Sequence, residues 1–541
     1  MAEQTRQECD AAQVDAIVVG AGFAGLYMLH KLLQLGLSAR VIEAGDGVGG
    51  TWFWNRYPGA RVDINSMEYS FSFAPDLERE WRWSERYAPQ EELLRYANHV
   101  ADRFDLRGDI QLETRVTAAT WSEAALRWTV TTDRGDVFSA RWCVMATGCL
   151  STPKAIDIAG LEDFAGPVYR TFAWPREGVD FSGQRVGVIG TGSSAIQSIP
   201  VIAAQAAHLT VFQRTPNYSV PAWNGPIAPE TYADWDAHRE TYRATARGQP
   251  FAALTEGSEH TAAELSPKQK SAEFERLWQV GGLQMMTLFA DLIVEPEANR
   301  AAADLFADKI RSLVSDPTTA EALVPKTYPV ATKRMCVDTG YYEAFNRPNV
   351  ALVDMRATPI ERITATGVRT TEREVPLDAL VLATGFDAMT GTLTRIDIRG
   401  RGGQSLADKW AEGPRTYLGL TVAGFPNLFT VTGPGSPSVL TNMIMSIEQH
   451  VEWIADCIAW MRERQCAAIE ASEAAETGWV AHVAEVAEPT LFPQADSWYM
   501  GANVPGKPRV FLPYVGGFPA YVEACNAVAV NDYAGFVTAS A

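Results

Sequence analysis

Two glycine-rich stretches carry the clearest chemistry in the chain: Gly20-Ala21-Gly22-Phe23-Ala24-Gly25 and Gly190-Thr191-Gly192-Ser193-Ser194-Ala195. Each follows an apolar run, Ala16-Ile17-Val18-Val19 in one case and Val186-Gly187-Val188-Ile189 in the other, and each opens a helical pattern. Glycines at this spacing permit a tight turn and let helix N-terminal N–H groups approach a pyrophosphate. One such motif is a weak signal, but the same strand-turn-helix context occurs twice. Two units predict two dinucleotides.

The residue that ends the next strand of each unit separates the two nucleotides. In the first unit it is Glu43, closing Arg40-Val41-Ile42-Glu43. A carboxylate there accepts from ribose hydroxyls and repels a 2′-phosphate, which suits FAD or NAD. At the same interval from Gly190 stands Gln213, followed by Arg214 and Thr215. The guanidinium of Arg214 offers a planar fork to a phosphate, so FAD is expected in the first unit and NADPH in the second. An arginine merely solvated at a strand end is the alternative.

Positioning these motifs takes a large, multi-domain fold. The 541 residues suit two or three domains, and 47% hydrophobic against 21% charged residues is ordinary globular composition. A net charge of -19 argues against nucleic acid or an anionic membrane as partner. Residues Met1 to Gln13 lack a signal pattern, and no run of about 18 apolar residues occurs, so a cytoplasmic setting is expected, with no obligate protein partner evident. The cysteines (Cys9, Cys143, Cys149, Cys336, Cys457, Cys466, Cys525) include no Cys-x-x-Cys pair, which disfavours a zinc site and a redox-active disulfide. No metal site is expected.

The pattern predicts an α/β fold of two Rossmann-like dinucleotide-binding domains with a helical insertion. The FAD domain takes residues 1–150 and 386–541, the NADPH domain 151–223 and 331–385, and the insertion 224–330. Strands ending in Ala146-Thr147-Gly148 and Ala383-Thr384-Gly385 mark the crossings between domains. Within the insertion, Ser266-Pro267 reads as a helix cap, Phe274, Leu277 and Trp278 give an apolar face, and Gly281-Gly282 ends the helix. A second helix carries Phe306, Ile310 and Leu313 and stops at Ser315-Asp316-Pro317. The insertion is expected to form a cap over the site.

Further motifs join the two fingerprints: Gly49-Gly50-Thr51-Trp52, Tyr57-Pro58-Gly59 with Asp63, and Tyr328-Pro329 to Lys333-Arg334. The loop Gly433-Pro434-Gly435-Ser436-Pro437 and the segment Trp498 to Lys507 follow in order. Over essentially its whole length the chain resembles the type I Baeyer–Villiger monooxygenases, most of all their phenylacetone and steroid branch. The linker signature of that family runs from Phe164 and Gly166 through Thr171 to Trp174 and Pro175, and every fixed position agrees except that Arg170 replaces a histidine.

The resemblance implies that electrons from NADPH reduce FAD, and that dioxygen then gives a flavin C4a-peroxide. This attacks a ketone to yield an ester or lactone, with sulfoxidation as a side reaction. It implies Arg334 as the fixed positive charge at the developing oxyanion, since a guanidinium cannot deprotonate in a protein. Asp63 would orient Arg334, although an Asp in that context alone would be a turn residue. For FAD it implies Gly20, Gly22, Phe23, Gly25 and Glu43, then Gly50, Thr51 and Trp52, with Tyr69, Val116 and Met443. For NADP it implies Gly190, Thr191, Gly192, Ser193 and Ser194, joined by Arg214, Thr215, Lys333 and Trp498. Lys333 could instead be solvated and Trp498 a core residue. Ile64, Ser438, Val439, Leu440 and Met443 would line the ketone pocket, though a core would use the same residues.

Arg170 is permanently charged and only donates, where a histidine also accepts. That difference touches the coupling of NADPH use to oxygenation. The rival functions are an N- or S-hydroxylating flavin monooxygenase, an NADPH oxidase making hydrogen peroxide, and a non-catalytic flavin- and NADPH-binding redox sensor.

Overall fold

The structure, a computed structural model, describes residues 11–540. Cys9 and most of the polar start of the chain lie outside the described residues. In the first unit β1 (Ala12–Val19) runs into α1 (Phe23–Gln34) and returns as β2 (Ala39–Ile42). Successive turns of α1 place Leu26, Leu29 and Leu32 in the core, each contributing about 2 kcal/mol by burial. β1 pairs in parallel with β2 on one side and with β3 (Val137–Met145) on the other. An antiparallel meander, Val116–Ser122 and Arg127–Thr132, continues this sheet beyond β3. The late strand Leu428–Thr430 also joins β3 in parallel, so the C-terminal part returns to the first domain.

The second unit is a five-stranded parallel sheet. Its strands are β4 (Val168–Arg170), β5 (Arg185–Ile189), which leads into α2 (Ser193–Gln205), β6 (His208–Gln213), β9 (Val350–Asp354) and β10 (Ala379–Leu382), in the order β9-β6-β5-β10-β4. Between β6 and β9 the chain forms β7 (Ser219–Pro221), the helices α3 (Pro229–Arg247), α4 (Pro267–Val280), α5 (Pro296–Leu313) and α6 (Pro317–Leu323), and then β8 (Cys336–Asp338). β7 and β8 pair in parallel as a two-stranded ribbon of their own.

The two Ala-Thr-Gly strand ends have a steric explanation. Gly20 has φ +104, and a Cβ there would stand 2.7 Å from the Ala146 carbonyl oxygen; Gly190 has φ +117, and its Cβ would stand 2.4 Å from that of Ala383. Each fingerprint therefore turns against the end of its neighbouring strand, and only glycine fits.

The insertion helices form as their caps dictate. Ser266 and Gln269 make a reciprocal capping box ahead of α4, and Gly281 closes it with φ +74. The insertion is more than a cap over a cleft. Trp235, Phe274, Trp278 and Phe306 share one core with the first domain, while Ala307, Ile310 and Leu323 belong to the core of the second. Buried Arg243 of α3 donates to the carbonyl oxygens of Met67, Glu68 and Ser70 and pairs with Glu78. An unpaired charge there would be costly, so this contact fixes the insertion to the first domain. Among the described residues no helix is long and apolar enough to cross a membrane, and no group of three His, Cys, Asp or Glu could hold a metal ion.

Candidate active site

The start of α1 is built for an anion. Gly22 at its cap supplies no side-chain hydrogen bond, and the first turn holds no acidic residue, so no side chain of the cap competes with an anion for the N-terminal N–H groups. Buried Glu43 braces this turn by accepting from the Ala21 and Gly45 N–H groups at 2.8 and 2.7 Å. Its oxygens keep lone pairs for ribose hydroxyls. Gly50 lies against Gly22, a Cβ there standing 2.8 Å from the Gly22 Cα, with Thr51 exposed beside it. The Trp52 indole donates to the Tyr69 hydroxyl at 3.3 Å. Phe23 and Val116 contribute differently. The Phe23 ring packs edge-on to Tyr69 and Phe71, and Val116 lies in the core with Ile17 and Ile42. Only their backbones could meet a nucleotide. These features fit FAD.

The second site repeats the plan. Gly192 caps α2 without a side chain, and again no acid stands in the first turn. Gln213, which replaces the ribose-binding acid, is buried and donates to the Ala322 carbonyl of the insertion. Arg214 is exposed just past it, and the Thr191 hydroxyl donates to the Thr215 carbonyl at 2.8 Å. Lys333 is half-buried with its ammonium 4.1 Å from the Tyr328 ring centroid. Burial, and then the neighbouring charge of Arg214, push its pKa down to about 8.

Two further cations belong to this cluster, and sequence reasoning missed both. Arg356 reaches the hydroxyls of Thr215 and Thr327 at 3.4 Å and adds to the positive field on Lys333. Lys154 also lies within the field of Arg214, which together with burial lowers its pKa. The available signal was topological: β9 pairs with β6 in register Asp354 to Gln213, so Arg356 emerges level with Arg214.

Between the two sites stands the Arg334–Asp63 pair. Asp63 comes from a loop of the first domain, and Arg334 from the segment leading into β8. Arg334 donates through Nε and Nη2 to the two Asp63 oxygens at 2.5 and 3.0 Å, and through Nη1 to the Val439 carbonyl at 3.1 Å. Burial works against the charge, but the Asp63 carboxylate more than reverses this, and the Arg334 pKa ends above its usual value. Around the pair Val439, Leu440, Cys149 and Tyr499 form an apolar cluster, against which Met443 and Trp498 pack. The Trp498 and Tyr499 rings lie 4.2 Å apart. Ile64 is buried in the first-domain core, and Ser438 is fully buried with its hydroxyl 2.8 Å from that of Ser436. Neither opens freely to a pocket.

Comparison with known proteins agrees with this geometry. Residues 17–249 match a family model described as pyridine nucleotide-disulphide oxidoreductase. A Baeyer–Villiger monooxygenase of Pseudooceanicola batsensis is 42% identical over 530 residues, spanning 97% of this chain and 96% of its own. The chain belongs to the Baeyer–Villiger monooxygenases. A phenazine N-monooxygenase of Lysobacter antibioticus is also 42% identical, across 98% and 97% of the two chains. An oxidized steroid monooxygenase solved with NADP bound is 49% identical with a TM-score of 0.94, covering 98% of this chain and all of its own. A complex of OTEMO with FAD and NADP is 40% identical with a TM-score of 0.94, over 97% and 99% of the chains.

For this Baeyer–Villiger monooxygenase the linker segment needs a correction of place. Val168 to Arg170 form β4, the edge strand of the second sheet, with Arg170 in register with Leu382. Thr171 and Trp174 are buried, and Trp174 packs against Tyr169 and Phe181. Phe164 lies in a second-domain cluster, and a Cβ at Gly166 would stand 2.4 Å from the Asp378 carbonyl oxygen. Most of the signature therefore shapes the sheet edge, ending at Pro175. Arg170 is half-buried at the strand end.

Proposed function

We propose that this chain inserts one oxygen atom of O2 beside the carbonyl of a ketone, giving an ester or lactone, with NADPH as electron donor and FAD as the resident cofactor. The observation that carries the proposal is the Arg334–Asp63 pair, contributed by two parts of the chain at the junction of two dinucleotide sites. Bound flavin supplies the electron transfer to oxygen. The protein contributes a preorganised cation: Nη1 and Nη2 of Arg334 each retain an N–H beyond the bonds to Asp63 and Val439, and these would meet the carbonyl oxygen as it gains charge. Asp63 fixes the guanidinium plane. Val439, Leu440, Met443 and Trp498 keep water from the reacting centre.

The 2′-phosphate of NADPH would sit among Arg214, Lys333, Arg356 and Lys154 with the Thr215 hydroxyl. Because Lys333 holds its proton only up to a pKa of about 8 in the free enzyme, its contribution is present below that pH and lost above it. Between pH 8 and 9, kcat/KM for NADPH is expected to fall about fivefold while that for NADH stays flat. Lys333→Arg should remove the fall. Parallel NADPH and NADH profiles would take Lys333 out of the phosphate site.

Arg170 would act on coupling, through the sheet edge it ends. Arg170→His is expected to lower hydrogen peroxide released per NADPH, and unchanged or greater release would count against that role.

The six described cysteines are free, which fits a reducing cytoplasm where NADPH is abundant. The partners proposed are small molecules, ketone and O2. The test is an NADPH balance under air with phenylacetone: ester equal to most of the NADPH consumed supports the proposal. Dominant peroxide would favour an oxidase, and a flavin that NADPH does not bleach would favour a sensor. Nitrogen oxidation is the second reading, favoured by the phenazine N-monooxygenase relative. It predicts faster coupled turnover of heteroaromatic amines than of any ketone.

A further inference from the structure

Tyr57 and Gln197 join the two nucleotide domains by a contact to which no motif assigns a role. Tyr57 belongs to the Tyr57-Pro58-Gly59 turn of the first domain, yet its ring packs against the core of the second. Its hydroxyl donates to Gln197 Oε1 at 2.9 Å, and Gln197 Nε2 donates to the Arg61 carbonyl at 3.1 Å. Only this orientation of the amide gives both of its groups a complementary partner. Gln197 is buried in α2, one turn beyond Ser193 and Ser194 of the fingerprint. Gly59, at φ +81, brings the turn so close to α2 that a Cβ would stand 2.3 Å from the Gln197 carbonyl oxygen. The loop that ends in Asp63 thus rests directly on the helix whose N-terminus faces the second nucleotide.

Another line leaves the same fingerprint toward Arg334. Asn217 Nδ2 donates to the Thr191 carbonyl at 2.5 Å, the Tyr328 hydroxyl reaches Asn217 Oδ1 at 3.0 Å, and Lys333 lies over the Tyr328 ring. The Asp63 loop is therefore tied to α2 through Gln197, and the Lys333–Arg334 segment to the fingerprint itself through Asn217 and Tyr328.

We propose that Tyr57 and Gln197 are positioning residues, which pass the seating of NADP(H) on α2 to the backbone at Arg61–Asp63 and so set the geometry of the Asp63–Arg334 pair. This rests on the proposed NADPH site at Gly190–Ser194. The physical basis is a short buried chain of directional hydrogen bonds from helix to loop, in which a shift of α2 moves the Arg61 carbonyl with it.

Amide hydrogen exchange on the FAD-loaded enzyme, with and without NADP+, tests this. In the unaltered enzyme NADP+ is expected to protect both residues 190–198 and residues 57–64. In Gln197→Ala the protection of 190–198 should persist while that of 57–64 is lost, with kcat about tenfold lower, the scale of one buried hydrogen bond. Tyr57→Phe removes only the hydroxyl and should reproduce the result without a packing defect. Protection of 57–64 in both variants equal to that of the unaltered enzyme would overturn the proposal. If NADP+ fails to protect 190–198 in the unaltered enzyme, the nucleotide site itself is wrong, and the positioning role falls with it.

Discussion

Arg334→Ala is expected to lower kcat for ketone oxygenation by about 10²–10³, the loss of about 3–4 kcal/mol of transition-state stabilisation that follows removal of a preorganised donor. The guanidinium charge is held in one fixed plane. Asp63 occupies Nε and Nη2, and the Val439 carbonyl takes one N–H of Nη1, so the remaining donors point along fixed directions in the plane of the fork. Such a donor needs little reorganisation as the carbonyl oxygen gains charge. Arg334→Lys should recover little, because an ammonium cannot span the two Asp63 oxygens and fill the same plane. Removing Arg334 also leaves the half-buried Asp63 without its partner, so Arg334→Ala with Asp63→Asn is the control for local disruption. The flavin spectrum and the melting temperature check that each variant is folded and loaded. A rate for Arg334→Ala within tenfold of the unaltered enzyme would remove Arg334 from the oxyanion contact.

Arg214→Glu is expected to lower kcat/KM for NADPH by about 10²–10³ while changing that for NADH little. One charge-assisted contact to phosphate contributes about 1.5–3 kcal/mol, and the new carboxylate adds repulsion at short range. The substitution would also draw Lys333 into a pair of its own, which weakens its hold on the phosphate further. Arg356 and Lys154 remain in place, so some NADPH binding should persist. Steady-state kinetics with both nucleotides gives the ratio directly. An unchanged NADPH-to-NADH preference would mean that the cluster serves another anion or none.

Much of this architecture was legible in local sequence because its signals are local. Strand, turn and helix at Gly20 and Gly190 depend on residues within a few positions of one another. The boundaries of α4 follow from Ser266 and Gly281, and the break after α5 from Asp316-Pro317, which caps and opens α6; this backbone chemistry acts within one turn. The site was harder to read. Asp63 and Arg334 lie 271 residues apart, and no periodicity joins them; the family motifs did. Tyr57 and Gln197, 140 residues apart, carried no such motif for their pairing. Arg356 and Lys154 became neighbours of Arg214 only through strand pairing and chain crossing.

Side-chain direction caused other departures. Phe23 stands inside a fingerprint, but in the first turn of α1 its ring faces the core. Arg170 looked like a linker residue, because a three-residue edge strand is too short to show an alternating pattern. The insertion reads in sequence as a cap over the site, whereas its aromatic residues share the first-domain core and the buried contacts of Arg243 fix it there.

Turnover under 18O2 in ordinary water, with NADPH and phenylacetone, tests the central claim most directly. The account predicts an ester two mass units heavier than its unlabelled form, one labelled atom per NADPH consumed, with the label in the new C–O–C linkage. An unlabelled product, or labelled hydrogen peroxide in place of ester across a panel of aryl, cyclic and steroid ketones, would contradict it.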